Sequence, residues 1–246
     1  MPFDAAPQVA NTDCLVCPVR SCLGRRGNQQ QTSSWSEMLA PRRAVMPGSG
    51  SLHRSGDRLR QLFSVRGGCI KAYTVDSEGN ERIRGFYLPG DLVGLDGLSE
   101  GVCLSTAAAI VPSQVCVAPV SDLKQLMAHQ PELAQRMLEQ TSRELALALA
   151  VGGDYSAEQR LAAFLLHMRA RMDSGNVLRL PMPQRDVGNY LRLATETVCR
   201  TLKSMERRSW LSLADKAIRI LDEAALRQVA EAVGIVQAPL SLARAA

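Results

Sequence analysis

Aromatic side chains are scarce in this chain. Trp, Tyr and Phe make up 4% of 246 residues, so its cores must be packed by Leu, Val, Ile, Met and Ala. Histidine is scarcer still: His53, His129 and His167 lie far apart, with no nucleophile–base pair or phosphate-cradling glycine loop beside them. An enzyme reading therefore finds no support. Long apolar runs are also missing, since no stretch approaches the roughly 20 apolar residues needed to span a bilayer. The start, MPFDAAPQVANTDC, lacks the basic and apolar regions of a secretory signal. A cytoplasmic, reducing location without a membrane partner is expected. In that setting the 7 cysteines read as buried thiols or metal ligands rather than disulfides.

Acidic excess is missing too. The net charge of +5 and a pI near 9.0 suit a polyanionic partner. Placement says more than the total. Arg185, Arg192, Arg200, Lys203, Arg207 and Arg208 crowd one short segment, opposed there only by Asp186, Glu196 and Glu206.

Along the chain, residues 1–35 read as an arm rich in Gln, Ser, Asn and Gly that carries Cys14, Cys17 and Cys22. Residues 36–120 alternate short apolar runs (LFSV, CIKAYTV, RIRGFYL, STAAAIV, QVCVAPV) with Gly, Pro and Asp, the rhythm of an antiparallel barrel or roll. GNER suggests a tight hairpin with Gly79 and Asn80 supplying positive φ. Residues 121–153 turn helical, with Ser121 as a cap and Pro131 opening a second helix. Within it Leu133, Met137, Leu138, Thr141, Leu145, Ala148 and Val151 recur at three- and four-residue steps. LALALAV near its end is apolar on every face, which a lone surface helix would not tolerate. A helix pairing with its symmetry mate is expected, through Leu133, Met137, Gln140, Glu144, Leu147, Ala148 and Val151. Gly152-Gly153 reads as a hinge before a C-terminal domain over residues 154–246, which opens with a helix from Ala157 to Met172.

That domain carries the strongest functional signal, QRDVGNYLRLATETVCRTLKSMERR. Val187, Leu191 and Leu193 sit on one helix and its turn. Thr195 is placed to cap the next helix, and Val198 and Leu202, four residues apart, pin it inward. Glu196, Cys199, Arg200 and Lys203 then fall on the open face, while Gly188 is small where crossing helices approach. This is the pattern of a helix-turn-helix whose second helix enters the major groove. Arg pairs with guanine O6 and N7, a carboxylate accepts from cytosine N4, and Lys and Arg hold phosphates. The candidate DNA-contacting set is Arg185, Arg192, Thr195, Glu196, Thr197, Cys199, Arg200 and Lys203. WLSL and AIRIL about Ala214-Asp215-Lys216 read as a wing, and a last helix follows Asp222. The fold class is α+β: an antiparallel roll, a long dimerisation helix and a winged helix-turn-helix.

Cys14-x2-Cys17-x4-Cys22 gathers soft thiolate ligands suited to an iron–sulfur cluster or to zinc. A fourth ligand must come from elsewhere, and Cys69, Cys103 and Cys116 are available.

The stretches RSGDRLRQLFSVRGGCIKAYT, GFYLPGDLVGLDGL, SAEQRLAAFLLHM and RDVGNYLRLATETVCR resemble the CRP/FNR superfamily, in particular its oxygen-responsive FNR branch. The resemblance implies a [4Fe–4S] cluster on Cys14, Cys17, Cys22 and Cys116, although FNR spaces its second and third arm ligands one residue further apart. It also implies a homodimer on a palindromic double-stranded operator and contact with RNA polymerase. The branch reads DNA through E-x-x-S-R. Glu196, Cys199 and Arg200 stand there, so discrimination should weaken at the base that serine would touch. Arg192 replaces the usual turn glycine. The stretch GLSEGVCLSTAAAIV lacks the arginine that holds a cyclic nucleotide's phosphate, so no cyclic nucleotide is expected. The rival reading is a cluster-free regulator sensing through heme, nitric oxide or thiol redox, or one with a zinc-stabilised arm. Because no acid follows Glu144 in RELALALAVGG, the expected dimer should depend less on the cluster than in better-matched relatives.

Overall fold

The computed structural model describes residues 42–48, 50–129, 131–172 and 175–233. The arm with Cys14, Cys17 and Cys22 lies outside them. Two compact units divide at Glu144 and Leu145. The division falls inside the long helix rather than at the double glycine read as a hinge.

In the first unit the short apolar runs form two four-stranded antiparallel sheets. One sheet joins β1 (Arg42–Val45), β8 (Ser113–Pro119), β3 (Gln61–Gly67) and β6 (Leu92–Val93). The other joins β2 (Ser51–His53), β7 (Thr106–Ala109), β4 (Ile70–Val75) and β5 (Glu81–Tyr87). Their inner faces bury Val45, Leu52, Phe63, Val65, Ile70, Ala107 and Val115 in one apolar cluster. Alternating side chains supply such a core without large aromatics. Gly68 is required where β3 turns toward β4: its φ is 84°, and a Cβ there would lie 2.1 Å from Ser113 Oγ.

The β4–β5 hairpin differs from the expected tight turn. Gly79 alone of the pair has positive φ. Asn80 instead donates its backbone N–H to Asp76 Oδ1 at 2.9 Å, and Glu78 does so at 3.1 Å. These bonds hold the Asp76 carboxyl below its usual pKa.

Helix α1 (Val120–His129) follows β8 directly, and α2 (Pro131–Gly152) opens at the proline as expected. Ser121 is not a cap. It lies inside α1, where its hydroxyl donates to Asp122. A second apolar cluster seals the helices to the roll: Leu59, Leu62, Leu92, Cys103, Leu123, Leu133 and Met137.

The second unit is built around α3 (Ala157–Met172), which buries Leu161, Phe164, Leu165 and Met168. Around it lie β9 (Val177–Leu178), α4 (Gln184–Leu191), α5 (Thr195–Arg207), β10 (Leu211–Ala214), β11 (Ala217–Ile220) and α6 (Glu223–Ala230). The small sheet runs β10-β11-β9. The wing turn places Asp215 and Lys216 at φ 49° and 60°, both positive as a two-residue hairpin with the right twist demands. Asp222 caps α6 by accepting from the Ala225 N–H at 2.9 Å.

Candidate nucleic-acid interface

Helices α4 and α5 are joined by a turn whose geometry follows from its residues. At Gly188 a Cβ would stand 2.8 Å from the Leu193 carbonyl oxygen and 3.4 Å from Val198 Cγ2, so the helices cross where only glycine fits. The same contact is fixed by the Leu193 N–H donating to Gly188 O at 2.8 Å. Arg192 takes the left-handed conformation expected of the usual turn glycine, with φ 56° and ψ 43°. Arg160 of α3 reaches across to donate to the Leu191 carbonyl at 3.0 Å, satisfying an α4 C-terminal acceptor. Sequence reasoning did not find that brace, because nothing in the spacing links position 160 to 191.

Val198, Thr201, Leu202 and Met205 are the buried residues of α5. Glu196, Arg200, Lys203 and Arg207 are exposed, as is Thr195, while Thr197 and Cys199 are half-buried. The polar face anticipated from sequence is thus a real surface. Thr195 differs from its anticipated role as cap: Ala194 holds that position with no side-chain bond, and Thr195 begins the helix. Arg185 is exposed beside the buried Asp186, 3.5 Å from its carboxylate. Arg192 is exposed at the turn. Two residues of the charged segment serve the domain itself. Arg208 pairs with Glu158 at 2.6 Å and lies 4.8 Å above the Trp210 ring. Glu206 accepts from the Leu213 N–H at 2.8 Å and so ties α5 to the wing. One base and one acid are thereby engaged within the domain, so the net charge of the open face stays as the sequence gives it.

The thiols separate by burial. Cys69 and Cys103 are 0% and 2% exposed, and burial raises the Cys103 thiol's pKa, helped by Asp96 and Asp57. Cys116 is half-buried on β8, opposite Arg42 of β1 and Ser64 of β3. Within the first unit it is therefore the described thiol with surface to offer a ligand. No group of three or more metal-ligating side chains gathers among the described residues.

The partner-facing set read on α2 needs correction. Leu133, Met137 and Gln140 are 1%, 7% and 8% exposed, turned into the first unit. Gln140 Oε1 accepts from the Leu92 N–H at 2.9 Å, and its Nε2 donates to the Leu92 carbonyl at 2.8 Å and to Glu144 at 2.7 Å. Glu144 also accepts from the Tyr87 hydroxyl. Leu147 and Val151 line an apolar pocket with Ala163, Phe164, Tyr190, Leu191 and Val233. Of the anticipated set only Ala148 is exposed. The open apolar stripe is Leu138, Leu145 and Leu149, at 70%, 60% and 68% exposure. The reason is angular: neighbouring helix positions differ by about 100°, so two heptad-like stripes one residue apart point in different directions.

A roll followed by a helix-turn-helix with a wing and an open, basic second helix defines a DNA-binding transcription regulator. The cyclic nucleotide-binding domain family matches residues 46–130, and the Crp-like helix-turn-helix domain family matches residues 159–229. The fumarate and nitrate reduction regulatory protein of Escherichia coli (strain K12) is 33% identical over 225 residues, 89% of each chain. The transcriptional activator FnrA of Stutzerimonas stutzeri is 33% identical over 87% of this chain and 90% of its own. Among solved structures, FixK2 from Bradyrhizobium japonicum superposes with a TM-score of 0.69 at 26% identity, over 78% of this chain and 97% of its own. The chain belongs to the CRP/FNR family of transcription regulators. Among the described residues no helix is long and apolar enough to cross a membrane.

Proposed function

We propose that this chain is a regulator of the FNR type: a homodimer that responds to oxygen or redox state and binds a palindromic operator in double-stranded DNA through α5. The observation that carries this is the open face of α5, where Glu196, Arg200 and Lys203 project from a helix pinned by Val198, Leu202 and Met205. Glu196 and Arg200 read a G·C pair from the major groove. Thr195, Thr197, Lys203, Arg185 and Arg192 serve as phosphate and edge contacts, and Cys199 stands at the serine position of the E-x-x-S-R motif. Two copies are needed because one winged domain reads a half-site. RNA polymerase is the partner that such a regulator recruits.

Sensing is assigned to a [4Fe–4S] cluster held by Cys14, Cys17, Cys22 and Cys116. The fit rests on the donor chemistry: thiolates are the ligands such clusters take, and among the described thiols of the first unit Cys116 is the one that is not buried. When bound, the cluster supplies sensitivity to oxygen. Cys116 ties that state to the helices, because β8 ends at Pro119 and α1 begins at Val120. The match of the roll to the cyclic nucleotide-binding domain family is one of fold, and GLSEGVCLSTAAAIV offers no arginine for a cyclic nucleotide's phosphate.

The test is binding of the anaerobically purified full chain to operator duplexes selected from a randomised pool. Affinity should fall steeply with added salt, and Arg200→Ala should cost about 1–3 kcal/mol with relaxed preference at one base pair. Visible absorption with bound iron and sulfide, lost in Cys116→Ser, supports the cluster. A colourless or zinc-loaded protein that still binds DNA points to cluster-free sensing.

A further inference from the structure

The open face of α5 holds one contact that the motif does not account for. The Cys199 thiol donates to Gln184 Oε1 at 2.9 Å, across 15 positions of sequence. Gln184 is the first residue of α4 and is exposed, while Cys199 is half-buried between Glu196, three positions before it, and Lys203, four after. The pair therefore fastens the start of the first helix of the motif to the face that meets DNA.

The bond also fixes what Gln184 can offer. A free glutamine amide presents an acceptor and two N–H donors, the combination that pairs with adenine N6 and N7. The thiol takes one of the oxygen's two lone pairs and holds that oxygen toward α5, so the amide nitrogen faces away from the thiol as a donor group. Donors complement thymine O4, guanine O6 and N7 and adenine N7, and they oppose the amino groups of cytosine N4 and adenine N6. We infer that Gln184, oriented by Cys199, is a specificity-determining residue that selects a major-groove acceptor at a base pair flanking the one read by Glu196 and Arg200. The inference rests on the DNA-reading role of α5 proposed above. It replaces a lost serine contact with a two-residue device rather than with weakened discrimination.

The experiment uses the full chain and an operator selected by the wild type from a randomised duplex pool. Each half-site position is then changed in turn, and affinities are measured for wild type, Gln184→Leu, Cys199→Ala and Cys199→Ser. Wild type should prefer its selected base by about tenfold at one flanking position. Gln184→Leu and Cys199→Ala should flatten that position to about twofold or less while leaving the Arg200-dependent position intact. Cys199→Ser should keep the preference, because a hydroxyl also donates. An equal loss over every base at every position would make Gln184 a phosphate contact and overturn the inference, as would an unchanged profile. If the wild type selects no duplex, the DNA-reading role falls with it. A specific, Arg200-dependent operator indifferent to Gln184→Leu would sink this inference alone.

Discussion

At the scale of single residues, three positions carry more physical content than their type suggests. His53 is 8% exposed, lies 6.0 Å from the Phe63 ring, and neither ring nitrogen has a hydrogen-bond partner. Burial lowers its pKa from the usual 6.5, and the charges of Asp96 and Asp57 offset part of that. An unfolded chain takes up this proton as the pH drops through its usual value, while the folded roll resists until lower pH. The unfolded state then binds more protons, so stability falls with pH in that window and is fully present above it. Urea unfolding midpoints should decline from pH 7.5 to 5.5, and His53→Phe should flatten the decline; an identical slope in the variant would refute the assignment. Arg192 sits at positive φ, which costs a residue with a Cβ on the order of 1 kcal/mol. Arg192→Asn should keep or raise the thermal midpoint, since Asn tolerates that conformation, yet lower the salt slope of DNA binding by about one charge. Gly188→Ala places a methyl 2.8 Å from a backbone carbonyl oxygen and should destabilise the winged unit by about 1–3 kcal/mol in thermal unfolding.

At the scale of elements, the helix α2 is joined to the roll by apolar packing of Leu133 and Met137, by the Tyr87–Glu144 contact and by the polar bonds of Gln140. Gln140 satisfies both backbone groups of Leu92, where β6 leaves the Pro89-Gly90 turn. Gln140→Leu keeps similar volume but strands a buried N–H and C=O, which should cost about 1–3 kcal/mol in urea unfolding of the roll. Equal stability would mean water takes over those groups. Element boundaries were largely legible in the sequence because local chemistry set them: Pro131 opens α2, Asp222 caps α6, and the wing strands flank Asp215-Lys216. The open face of α5 was legible for a related reason, since Val198 and Leu202 repeat with the helical period. What sequence did not settle is which of two adjacent apolar stripes on α2 meets the chain's own core. Leu133, Met137 and Gln140 satisfy the same spacing rule as Leu138 and Leu145, and only tertiary packing tells them apart. The Cys199–Gln184 and Arg160–Leu191 contacts were hidden for the same reason: each bridges elements that sequence separation does not place together.

At the scale of the whole molecule, the open stripe on α2 is the feature that the chain does not satisfy alone. Leu138, Leu145 and Leu149 are each at least 60% exposed, and Ala148 is exposed as well. The last acid of the helix, Glu144, accepts from Gln140 and Tyr87 and so is directed to the roll rather than to a partner. From Leu145 to Gly152 the helix carries no charge at all. Twofold pairing of α2 would bury each leucine twice, and a fully buried leucine side chain contributes roughly 1.5–3 kcal/mol. With no carboxylate to repel its mate along that stretch, pairing should survive loss of the proposed cluster. Sedimentation of aerobically prepared apoprotein at micromolar concentration should therefore show a dimer. Leu145→Glu places one carboxylate in each helix of the pair and should give a folded monomer with half-site affinity. Met137→Ala, by contrast, should lower the stability of the roll by about 2–5 kcal/mol without changing the assembly state. A monomeric apoprotein would reject cluster-independent pairing, and a Leu145→Glu dimer would place the interface elsewhere.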